Sequence, residues 1–107
     1  MPLNIKKILR ELKKGLQKIY GERLKAVILF GSYARGDAHP PDSDIDVMIV
    51  LKGEFDYWKM NKLASEIVAD ISLKHDVVIS RKLTSDDDYA NSKFPLYINV
   101  RREGVTV

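Results

Sequence analysis

The sequence predicts a small α/β domain, and three observations carry that expectation. Two apolar runs rich in branched residues, "LKAVILF" (24–30) and "DIDVMIVL" (44–51), read as strands buried on both faces. Two stretches, 5–19 and 56–73, instead repeat their apolar residues at helical spacing. The 107 residues suffice for one core but not two, so a single domain over 1–107 is expected, with no internal repeat or linker.

In chain order, Ile5, Ile8, Leu9, Leu12, Leu16 and Ile19 define the first helix, with Asn4 placed as its N-cap and Gly21 just past its end. The strand 24–30 follows. "GSYARGDAHPP" is then a loop punctuated by Gly31, Gly36, Pro40 and Pro41, with room for one helical turn after Ser32. The strand 44–51 leads into an amphipathic helix from Asp56 to Leu73, marked by Trp58, Leu63, Ile67, Val68 and Ile71. "HDVVIS" (75–80) reads as a third strand. "TSDDDYANS" reads as a short helix capped by Thr84 or Ser85, its acidic first turn suiting the helix dipole. "FPLYINVRREGVTV" closes the sequence as a short helix after Pro95 and an extended tail.

Composition narrows the chemistry. Without cysteine there is no disulfide, thiolate metal site or thiol nucleophile. No apolar run approaches the roughly 20 residues of a membrane span. The N-terminus is charged from Lys6 onward, unlike a signal peptide, so a cytoplasmic protein with no membrane partner is expected. Residues 1–25 carry eight Lys/Arg (Lys6, Lys7, Arg10, Lys13, Lys14, Lys18, Arg23, Lys25) against Glu11 and Glu22, while the remainder is net acidic. That asymmetry leaves a nucleic-acid or acidic partner open beside the plainer reading of a solvated helix face.

The informative stretch is "GSYARGDAHPPDSDIDVMIV". In a strand, residues i and i+2 share a face, so Asp44 and Asp46 project side by side while Ile45, Val47 and Ile49 pack behind them. Two adjacent carboxylates repel, and need a cation between them or water around them. An all-oxygen donor set points to Mg²⁺ or Mn²⁺ over zinc. Asp76, opening the third strand, would lie at the same sheet end if that strand pairs beside the second. Three such carboxylates could hold two divalent ions. Gly31 lets a phosphate approach the backbone, the Ser32 hydroxyl adds a donor, and Arg35 can reach phosphate as a cationic fork.

Each part alone has a duller explanation. Gly-Ser is a common turn. Asp42, Asp44 and Asp46 match positions 1, 3 and 5 of a calcium loop, but Val47 and Gly53 stand where glycine and glutamate belong. Asp86, Asp87 and Asp88 suit a solvated helix start, His39 and His75 isolated loop or surface positions, and Tyr57 and Trp58 packing or surface positions. It is the conjunction that resists a structural explanation.

These residues resemble the signature of the DNA polymerase beta-type nucleotidyltransferase superfamily: Gly31, Ser32, Gly36, then Ser43, Asp44 and Asp46, with Asp76 matching the third carboxylate. The short chain and its ending are similar to the minimal nucleotidyltransferase (MNT) branch. The resemblance implies a small mixed sheet flanked by helices. It implies two Mg²⁺ ions bridging a nucleoside triphosphate to Asp44, Asp46 and Asp76, with Gly31 and Ser32 holding its phosphates; Arg35 and Ser43 are expected to bind the nucleotide beside them. It further implies transfer of AMP with release of pyrophosphate. For a stand-alone domain of this branch the implied acceptor is a tyrosine of a HEPN-family ribonuclease toxin, with this chain as antitoxin. A non-catalytic antitoxin, and a transferase subunit acting on a small molecule or nucleic acid, are the competing readings.

Overall fold

A computed structural model describes residues 3–40 and 43–107, the side chain of Leu3 excepted. Pro41 and Asp42, given above to the loop and to a calcium-loop match, lie outside the described residues.

The first helix, α1 (Leu3–Tyr20), buries Ile5, Ile8, Leu9, Leu12 and Leu16 along one stripe. Asn4 is inside its first turn rather than capping it, because the helix already includes Leu3. Gly21 ends α1 as expected and opens a single 3-10 turn. Strand β1 (Leu24–Phe30) and the one-turn helix α2 (Ser32–Arg35) fall where the sequence put them. Strand β2 (Ile45–Leu51) begins one residue after Asp44.

Helix α3 (Tyr57–His75) is capped by Asp56, whose side chain accepts a hydrogen bond from the Lys59 N–H at 3.2 Å. It runs two residues beyond the expected end. Lys74 and His75 both reach Glu11 of α1, at 3.2 and 3.1 Å, which ties the last turn of α3 down. Strand β3 is therefore Ile79–Ser85, displaced from the expected 75–80. The sequence hid this because β3 is an edge strand carrying Arg81 and Lys82, charged residues that look like the end of a strand. Ser85 caps α4 (Asp86–Asn91), its hydroxyl accepting from the Asp88 N–H. Helix α5 (Pro95–Glu103) precedes β4 (Val105–Thr106), so the expected extended tail is a strand.

The four strands form one mixed sheet in the order β3-β2-β1-β4. β1 is antiparallel to both β2 and β4, while α3 makes the crossover that leaves β2 and β3 parallel. Alternation along β2 creates two layers. Ile45, Val47, Ile49 and Leu51 join α1 and α3 in the larger core. Met48 and Val50 face the other way, with Ile28 of β1 and Val100 of α5. Among the described residues no helix is long and apolar enough to cross a membrane.

Candidate active site

The same alternation that buries Met48 and Val50 puts Asp46, and Asp44 before it, on the α5 side of the sheet at the N-terminal end of β2. Met48 is fully buried, Asp46 half-buried and Asp44 exposed, so polarity increases toward that end of the strand.

Opposite Asp46 in the ladder is Phe30, the last residue of β1. The chain then turns at Gly31 with φ 73° and ψ −154°, a conformation essentially restricted to glycine. A Cβ built at this position would overlap the Asp46 carboxylate. Glycine is thus required twice, for the turn and for the approach. Helix α2 starts at once, Ala34 and Arg35 both donating their N–H to the Gly31 carbonyl at 3.1 Å. The result is an open cleft of about 370 Å³, with Gly31, Ser32, Arg35 and Asp46 on one side and Leu96, Asn99 and Glu103 of α5 on the other.

Electrostatics make Asp46 unusual. Burial, reinforced by the neighbouring Asp44 charge, pushes its carboxyl above the ordinary aspartate range, while Arg35 pulls weakly the other way. Arg35 is itself shared, with Asp37 at 3.3 Å and Glu103 at 3.8 Å. Two carboxylates on one face, a glycine that brings backbone against one of them and, among the described residues, no ion pair to either acid form an oxygen-donor arrangement that fits a hard divalent ion.

Not every expected residue joins this cleft. Ser43 closes the turn before Asp44: its N–H donates to the His39 carbonyl at 3.1 Å, and its hydroxyl accepts from the His39 N–H at 2.8 Å. It lines a second cleft of about 230 Å³ with Tyr33, His75 and Asp76. Asp76 does not open β3. It caps the C-terminus of α3 in the left-handed conformation, φ 52° and ψ 52°, three residues before the strand. Among the described residues no three His or acidic side chains gather as a metal-holding group. What stands beside the aspartates is Ser80, paired with Asp46 in the parallel ladder and donating its hydroxyl to Asp44 Oδ2 at 3.2 Å.

Sequence reasoning missed Ser80 and the wall supplied by α5. The latter was within reach: Leu96, Asn99, Val100 and Glu103 recur at spacings of three and four after Pro95, one face of a helix. Nothing local marked Ser80, because its position depends on the register of β3.

Comparison with known proteins agrees with this architecture. A family model described as a nucleotidyltransferase domain matches residues 9–97. A protein of Methanocaldococcus jannaschii, provisionally named a protein adenylyltransferase, is 36% identical over 104 residues, spanning 95% of this chain and 96% of the relative. The crystal structure of a toxin-antitoxin with AMP-PNP superposes with a TM-score of 0.60 at 23% identity, covering 91% of this chain and 69% of that one. A complex of tri-AMPylated Shewanella oneidensis HEPN toxin with an MNT antitoxin gives 0.52 at 21% identity, over 97% and 68% of the two chains. At such identities the structural likeness establishes the fold. The family match spans most of the sequence, and it includes the Gly31–Ser32 turn and both aspartates: the chain belongs to the nucleotidyltransferase domain family and is an enzyme of that class.

Proposed function

We propose that this enzyme moves AMP from ATP onto a tyrosine hydroxyl of a partner HEPN-family ribonuclease toxin, and thereby serves as its antitoxin. The observation that carries the reading is the Gly31–Asp46 contact, which brings a backbone turn suited to phosphate against a carboxylate pair suited to a cation. The substrate class is supported by relatives named as protein adenylyltransferases and by folds shared with toxin-antitoxin complexes.

In this reading Asp44 and Asp46 hold Mg²⁺, which when bound offsets charge developing on the attacking and leaving oxygens. Gly31 leaves space for the β- and γ-phosphates, and the Ser32 hydroxyl donates to a phosphate oxygen. Arg35, already in the cleft, leans its guanidinium toward the triphosphate and exchanges part of its contact with Asp37 and Glu103. Leu96 and Asn99 of α5 bound the opposite side and limit the directions from which an acceptor can enter. The acceptor oxygen bonds to the α-phosphorus, the bond from that phosphorus to the bridging oxygen breaks, and pyrophosphate departs. The acceptor proton is lost to solvent or a carboxylate of the site.

Incubating the chain with ATP, Mg²⁺ and a HEPN-family ribonuclease from the same organism, followed by intact mass spectrometry, tests the proposal. One or more added AMP units, absent with Asp44→Asn, are expected. A tight complex without any mass increase would contradict transfer and favour neutralisation by binding alone.

A further inference from the structure

We infer that Ser80, not Asp76, is the third group at the metal-holding end of the sheet, and that it acts by fixing the orientation of Asp44. The inference rests on the proposed role of Asp44 and Asp46 in holding a divalent cation.

The parallel ladder determines which side of β3 faces the aspartates. Ile79 and Leu83 point into the core beneath α1 and α3. Arg81 points the same way, donating to Asn61 Oδ1 and Ser65 Oγ of α3, both at 2.9 Å. The alternate residue Ser80 therefore projects on the opposite face, the face of Asp44 and Asp46. It is opposite Asp46 in register, and its hydroxyl donates to Asp44 Oδ2. One Asp44 oxygen is thus engaged, and the other has no hydrogen bond among the described residues.

Asp76 has a different place. It precedes Ser80 by four residues, turns the chain out of α3, and lines the cleft with Ser43, Tyr33 and His75. The hydrogen bond made by Ser80 is exposed, where such a bond contributes little to stability. Its consequence is positional. A hydroxyl steadies Asp44 without adding a third negative charge to a pair that already repels. Such a site, with two carboxylates and no third, holds a hard cation best when nucleotide phosphates complete the oxygen shell. Ser80 is in these terms a positioning residue, acting through Asp44.

The test is Mn²⁺ binding to the full chain, followed by the paramagnetic resonance of free Mn²⁺, with and without a non-hydrolysable ATP analogue. Ser80→Ala should weaken Mn²⁺ binding by about tenfold or more, the usual cost of losing a group that orients a ligand. Its melting temperature should not change. Ser80→Thr, which keeps the hydroxyl, should restore affinity. Ser80→Asp should tighten Mn²⁺ binding without nucleotide, by adding a carboxylate. Asp76→Asn should leave affinity unchanged, and it should fold normally because asparagine tolerates the left-handed conformation. Full affinity in Ser80→Ala, or lost affinity in Asp76→Asn, would overturn the inference while sparing the metal role of Asp44 and Asp46. If the unaltered chain takes up no Mn²⁺ even with the analogue, the metal role of the pair fails, and the role of Ser80 with it.

Discussion

Carboxylates in different parts of this molecule receive opposite treatment. Glu11 of α1 accepts from Lys74, which it holds in an ion pair, and lies 3.1 Å from His75. Asp86 at the start of α4 accepts the Gly53 N–H at 3.1 Å. Both are held below the usual carboxylate range, Glu11 chiefly by His75 and then Lys74, Asp86 chiefly by the Gly53 amide. Asp46 is pushed above it. Where a carboxylate serves the fold, the chain supplies its partner. At the head of β2 it supplies a second carboxylate, a glycine pressed against the first, and an arginine shared with two other acids. The difference is what the proposed metal role requires: among the described residues neither acid of the pair has an ion-pair partner of its own.

The largest effect expected is on transfer itself. Asp44→Asn or Asp46→Asn should each lower the rate of AMP transfer by at least about 10³-fold, since charge stabilisation at the reacting phosphate is the dominant contribution. Retained turnover in both variants with Mg²⁺ present would collapse the contrast between the β2 pair and the partnered carboxylates.

Next comes Gly31→Ala. It must adopt a backbone conformation worth about 1–3 kcal/mol of strain and displace the Asp46 carboxylate. Chemical denaturation should show a loss of at least that size. Ser32→Ala should weaken nucleotide binding by about tenfold or more, the usual scale of one hydrogen bond to a charged group. Unchanged affinity in a calorimetric titration would remove Ser32 from the phosphate site.

The smaller effects concern the metal-free protein and differ in sign. Asp46→Asn should raise its melting temperature at neutral pH, because removing one charge relieves repulsion and the cost of burial. The folded-state shift of Asp46 is upward, so the stability it contributes is present below the unfolded pKa, about 4, and lost as pH rises through the folded value. The advantage of the variant should therefore vanish at acid pH. Glu11→Gln should do the reverse. The folded-state shift of Glu11 is downward, its contribution is present above the unfolded pKa and lost as pH falls through the folded value, so the variant should melt lower at neutral pH. Thermal melts from pH 3 to pH 7.5 separate the two, and melting curves moving in the same direction would contradict the comparison.

How much of this was legible in the sequence follows from how local each signal is. Strand β1, the turn at Gly31, helix α2 and the shared face of Asp44 and Asp46 depend on a period of two, a glycine and a short spacing, all readable from one stretch. The start of β3 was not readable. It depends on α3 continuing to His75, which depends on Glu11 sixty-four residues earlier. With that boundary went the place of Asp76, and with it the identity of the residue beside Asp44. The cleft wall from α5 likewise depends on how a C-terminal helix crosses the sheet, although its spacing in sequence was visible.

The most direct test of the central claim is the melting temperature of the unaltered chain, Asp46→Asn and Glu11→Gln, each with ATP alone and with ATP plus Mg²⁺. A rise that requires both ligands, occurs in the unaltered chain and in Glu11→Gln, and is absent in Asp46→Asn is expected, because the proposed reading puts the cation at the head of β2 and not at Glu11. An equal rise in Asp46→Asn, or a rise independent of Mg²⁺, would contradict it.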